Sequence, residues 1–110
     1  MRRQSARVVQ TGPEGHVGPV RFLDTVTGAE MVTTGPGSLT YHLDNRQVEI
    51  PVDYGRHQSL SVYGVHDNWD DGSPLTTEER RNVADMLVLV AEQRGWKLDV
   101  VYDLVTGEKR

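Results

Sequence analysis

The chain contains no cysteine, which excludes a disulfide framework, a thiolate zinc site and a cysteine nucleophile together. No apolar run approaches the length of a membrane span, and no apolar h-region follows Met1-Arg2-Arg3. Membrane insertion and a secretory signal are therefore not expected, and the expected compartment is the cytoplasm. Positive charge is also in short supply. Twelve Lys and Arg against sixteen Asp and Glu leave a net charge of −4. Non-specific nucleic-acid binding takes its affinity from Lys and Arg on phosphates, so this balance disfavours it and suits a basic protein partner instead. The four histidines, His16, His42, His57 and His66, never fall at i, i+4 on a helix or in another metal-ligand spacing. Gly12, Gly15, Gly18, Gly35 and Gly37 do not follow a strand and open a helix, as a phosphate-binding loop must. Ser59, Ser61 and Ser73 lack a nucleophile-elbow context. No cofactor, metal or catalytic residue is expected.

What the chain does contain is one long helix signal. Thr76 is suited to N-cap a helix over residues 77–94, with Glu79 closing a capping box and Glu78 and Glu79 complementing the positive end of the dipole. Val83, Met86, Leu87 and Val90 recur at the spacing of one helical face, and Val88, Leu89 and Ala91 widen that stripe, which predicts cover on more than one side. Gly95 supplies the stop, and an apolar strand is expected over residues 96–105. Before the helix lies a polar loop, Trp69-Asp70-Asp71-Gly72-Ser73-Pro74.

At 110 residues the chain supports one domain. Residues 1–19 are rich in glycine and proline and read as a flexible arm, in which Arg7-Val8-Val9 could pair as an edge strand. Residues 20–26 and 30–33 read as two strands around Thr27-Gly28. Asp24-Thr25-Val26-Thr27-Gly28 is echoed by Asp103-Leu104-Val105-Thr106-Gly107, too short a phrase to make a repeat architecture. Leu39, Tyr41 and Leu43 alternate onto one face, as do Val48, Ile50 and Val52, with Asp44-Asn45-Arg46 as the turn between them. Pro51 lacks a ladder donor, which predicts an edge strand or a strand end. A third strand is expected over residues 59–65. The sum, over residues 20–110, is an α+β domain: a small, mainly antiparallel sheet of hairpins plus a closing strand, with one long helix packed across one face.

Residues 37–52, Tyr63, Trp69, Asp71-Gly72, Leu75-Thr76, the helix stripe from Val83 to Val90 and Gly95-Trp96-Lys97-Leu98-Asp99-Val100 together give a pattern that resembles an immunity protein family of bacterial polymorphic toxin systems. The likeness covers roughly the C-terminal two-thirds. It implies a non-enzymatic protein that binds and neutralises a cognate toxin, and it transfers no catalytic residue.

The expected contact surface is Tyr63, His66, Asp67, Trp69, Asp70, Asp71 and Glu78: aromatic residues of the kind found at binding hot spots, within an acidic rim that complements the Lys and Arg of a nuclease. Trp69 is equally suited to plug the core. The segment beginning at Asp67 has Glu78 in the twelfth place of a calcium loop, but Trp69 stands where an oxygen ligand is needed. Paired carboxylates on a loop do not supply the divergent environments that acid–base work needs. Two other classes stay open. One is a ligand-binding or enzymatic domain in which His42, His57 and His66 converge with Asp53 or Asp67. The other is a homodimer through exposed strand edges, with Val101, Leu104 and Val105 nearby.

Overall fold

Alternating apolar residues and local turn chemistry set most of the architecture in the computed structural model, which describes residues 7–11, 20–35 and 37–109. The elements in chain order are β1 (Val8–Gln10), β2 (Arg21–Asp24), β3 (Glu30–Gly35), β4 (Ser38–Leu43), β5 (Arg46–Tyr54), β6 (Ser59–Val62), α1 (Thr77–Arg94) and β7 (Lys97–Val100). The strands form one sheet in the order β1 to β7, so each lies beside its neighbour in sequence. Pairing is antiparallel through β6, and β7 joins parallel to β6 because α1 carries the chain back to the same end. The molecule is α+β and strand-dominated. Its sheet curls until both edge strands, β1 and β7, reach α1.

Register follows the alternation. Tyr41 lies opposite Val48 and Leu39 opposite Ile50, and all four are buried. Asp44 and Asn45 both take positive φ, 53° and 67°, the two-residue turn whose twist matches the flanking strands. On α1, Thr76 accepts from Glu79 N–H at 3.0 Å and Glu79 accepts from Thr76 N–H at 2.9 Å, and Gly95 closes the helix in the left-handed conformation. Val83, Met86, Leu87 and Val90 join the core shared with Phe22, Met31, Leu39, Ile50 and Leu60. Ala91 is buried and Leu89 partly so, but Val88 is 44% exposed, so the widened stripe is not covered all round.

Several expectations need correction. Residues 8–10 form β1, paired to β2 as the edge strand expected of Arg7-Val8-Val9 and not as part of a flexible arm, and Arg7 reaches Asp24 at 2.9 Å; residues 1–6 and 12–19 of the arm lie outside the described residues. The third strand ends at Val62 and the closing strand at Val100. Pro51 is interior, not at an edge, because β5 changes partner beside it. Residues 46–51 pair with β4 and residues 52–54 with β6. By alternation, the side of Pro51 that lacks an N–H faces the chain after β6, where Tyr63 N–H donates to the Pro51 carbonyl at 3.1 Å. A proline is tolerated where no ladder donor is required.

The two echoed phrases fold into the same turn. Asp24 Oδ1 accepts from Val26 and Thr27 N–H, and Asp103 Oδ1 accepts from Val105 and Thr106 N–H. Gly28 and Gly107 N–H return to the Asp24 and Asp103 carbonyls, each at 2.8 Å. The φ values of the two glycines, 81° and 80°, are ones a side chain disfavours. Thr27 and Thr106 hydroxyls then accept from the residue after the glycine, both at 3.2 Å. The repetition is local turn chemistry, not a repeated domain. At the C-terminal copy it replaces the second half of the expected closing strand.

Candidate functional site

After β6 the chain runs back along β5 without forming a regular strand. Tyr63 N–H donates to Pro51, His66 N–H to Glu49 at 3.2 Å and Asp70 N–H to Gln47 at 2.9 Å. The Asp70 carboxylate accepts from Gln47 N–H at 3.1 Å. The segment then closes on itself. Leu75 N–H reaches the Asp67 carbonyl at 3.0 Å, Trp69 N–H the Ser73 carbonyl at 2.8 Å and Gly72 N–H the Trp69 carbonyl at 2.9 Å. Asp71 accepts from the Ser73 N–H at 2.9 Å and from its hydroxyl, bonds to the charged form that hold its carboxyl below the usual range. The polar loop is thus a hairpin pinned by its own main-chain hydrogen bonds and by those to Gln47 on β5.

Trp69 is only 2% exposed. Of the two roles expected for it, contact anchor and core plug, the indole takes the second. Its ring lies 6.1 Å from that of Tyr41, the Arg46 guanidinium sits 4.3 Å above it, and its Nε1–H donates to Glu79 Oε1 at 3.1 Å. Glu79 Oε2 accepts from Arg46 at 3.0 Å. One carboxylate therefore joins the helix cap, the indole and the cation on its face. Burial pushes the Glu79 carboxyl up, but the bonds from Thr76, Trp69 and Arg46, with the Arg46 charge, outweigh it and leave it below its ordinary value. A lowered carboxyl stabilises the fold above its unfolded pKa, and that contribution fades as pH falls through the folded value. Glu79→Gln keeps an acceptor for the cap but loses the charge. It is expected to reduce stability by about 1–2 kcal/mol at neutral pH and to flatten the decline of the urea midpoint with acid, as measured by urea titration from neutral pH to pH 3.

The remaining predicted residues do reach solvent. Tyr63 is 44% exposed. Asp67, its side chain 90% exposed, pairs with Arg80 at 3.0 Å, a rim contact worth little by itself. Asp70, Asp71 and Glu78 are exposed, Glu78 in the first turn of α1. His66 Nε2 lies 3.8 Å from a Glu49 oxygen. Both border an open depression of about 250 Å³ together with Thr40, Gln47, Asn68 and Asp70. Sequence reasoning missed Gln47 and Glu49, which stand on the outward face of β5. Their alternation with Val48 and Ile50 carried the signal, because the residues between core positions must line the opposite face.

The histidines are kept apart. His42 borders a depression with Glu30, Asp44 and Arg46, His66 borders the one beside Glu49, and His57 sits exposed in the turn between β5 and β6. Among the described residues no group of three His, Asp or Glu is placed to hold a metal ion. The calcium-loop carboxylates are spent separately, Asp67 on Arg80 and Asp71 on Ser73, with Glu78 on the helix. No described helix is long and apolar enough to cross a membrane. Comparison of the chain with known protein families, with curated proteins and with solved structures found no match.

Proposed function

We propose that this protein is an immunity protein that binds a cognate bacterial toxin, with a nuclease as the favoured class, and neutralises it by direct contact in the cytoplasm of the producing cell. In this reading α1 lies across one face of the sheet as scaffold, and the working surface is Tyr63, His66, Asp67, Asp70, Asp71 and Glu78. The observation that carries it is the way Asp67, Asp70 and Asp71 project into solvent from a segment tied to β5 and to itself by main-chain hydrogen bonds. A contact surface fixed before binding loses little freedom on association. Acidic groups so fixed meet the Lys and Arg with which a nuclease holds phosphates, which raises association rate and specificity.

The test is co-expression with the polypeptide encoded beside this gene. Rescue of growth from a toxic neighbour, with a one-to-one complex on purification, is the expected result. Tyr63→Ala and Asp67→Asn are expected to weaken that complex about tenfold or more while leaving the urea midpoint of the free protein unchanged. A harmless neighbour that forms no complex would overturn the reading.

A further inference from the structure

The edge of β7 turns the sheet outward. Lys97 and Val101 N–H donate across to the Gln58 and Val62 carbonyls, at 2.8 and 2.9 Å, on the β6 side. By alternation, the N–H and C=O groups of Leu98 and Val100 point away from β6, on the side where the strand order ends. Beside this edge lies an open groove of about 530 Å³ lined by Val88, Leu98, Asp99, Val100 and Val101. Its helical wall is Val88, the one residue of the apolar stripe left 44% exposed. Unpaired main-chain groups flanked by an apolar trough are what an added strand requires.

The side chains of the strand identify the occupant. Lys97 and Asp99 are exposed, while Leu98 and Val100 turn toward the core. Set a second β7 antiparallel to the first about a two-fold axis at Leu98. Each Lys97 then stands opposite the other copy's Asp99, and the two Leu98 residues exchange a pair of backbone hydrogen bonds. Centring the axis on Asp99 would oppose two carboxylates, so the charges favour the Leu98-centred register over that one. A lysine alone on an edge would repel a like strand; followed two residues later by an aspartate, it becomes half of a self-complementary pair. The leucine brought in by the second copy enters the groove against Val88.

We propose that the protein forms a two-fold symmetric dimer by antiparallel β7–β7 pairing centred on Leu98. The contact is short, so association falls in the micromolar range, below that of standard-size interfaces. The proposal is independent of toxin binding and is tested without a toxin. Sedimentation equilibrium of the full chain is expected to show reversible dimers. K97D alone and D99K alone are each expected to dissociate at least tenfold more readily, because each sets like charges across both pairs. Mixed one to one, the two variants are expected to recover association as a heterodimer, since the acidic strand of one meets the basic strand of the other. In the wild-type protein, the Leu98 and Val100 amides should gain protection from hydrogen exchange as concentration rises, a readout that needs no variant. A monomer throughout the micromolar range overturns the proposal. So does a dimer that both variants leave intact, a mixture that fails to recover, or a dimer in which those two amides exchange freely.

Discussion

Replacing Trp69 by alanine is expected to lower the stability of the fold by about 3–5 kcal/mol, the range for truncating a large buried aromatic. Two terms beyond the lost ring area push toward the upper end. Arg46 loses the face it covers at 4.3 Å, and the Glu79 oxygen that accepts from Nε1–H at 3.1 Å loses one of its donors. Trp69→Phe comes closer to isolating the donor, since it keeps most of the apolar volume while removing the indole N–H along with part of the ring. A loss of about 1–2 kcal/mol is expected there, the magnitude of a hydrogen bond to a charged acceptor. Urea denaturation checks both, with a midpoint shift at unchanged slope as the signature. A Trp69→Ala variant with the wild-type midpoint would show that the ring is not buried in the core.

The two possible roles of Trp69 mark the boundary of what sequence reveals. The helix was legible nearly to the residue because its determinants are local: Thr76, Glu79 and Gly95 lie within or beside it and fix its ends by hydrogen bonds across three or four positions. The Asp44-Asn45 turn was legible for the same reason. Whether Trp69 faces inward depends on Tyr41 and Arg46, more than twenty residues away, and on a second use of the capping glutamate. No spacing rule encodes that meeting. Pro51 shows a related limit. Its missing donor was plain, but a partner strand that ends beside it was not, because that ending lies in the irregular backbone from Tyr63 to Val65. The expected strands ran too long at Val62 and Val100 because apolar residues continue after the pairing has stopped. The candidate surface was legible as a set of acidic residues. That Asp70 and Asp71 double as caps for Gln47 and Ser73 was not. These caps hold the carboxylates in place, so a substitution there changes loop geometry along with charge. Tyr63 and Asp67 are therefore the cleaner probes of binding.

Asp24→Asn is expected to cost about 3 kcal/mol, the lower end for breaking a buried ion pair from one side. The carboxylate is almost wholly buried, at 1% exposure, and meets Arg7 in a fork of two hydrogen bonds, Nε to Oδ1 and Nη2 to Oδ2, both at 2.9 Å. Oδ1 also accepts from the Val26 and Thr27 N–H groups. An asparagine can still serve those two amides, but it opposes a donor to one arm of the guanidinium and leaves the charge without its counterion. Arg7 retains about a third of its exposure to water, which limits the loss. The same geometry sets a pH dependence. Burial pushes the Asp24 carboxyl up, while the Arg7 fork and the turn amides pull it down further, so its folded pKa lies below the ordinary aspartate value. The stabilisation is therefore complete above that ordinary value and is lost as pH falls through the folded one. In the wild-type protein the urea midpoint should decline with acid below the ordinary aspartate range, and in Asp24→Asn that part of the decline should disappear. Because Arg7 directly precedes β1, loss of the fork also frees the edge strand. Hydrogen exchange should report faster opening of the Val8–Gln10 amides in the variant before any change at β4 or β5. Equal protection of β1 in the two proteins would show that its pairing to β2 holds without the buried pair.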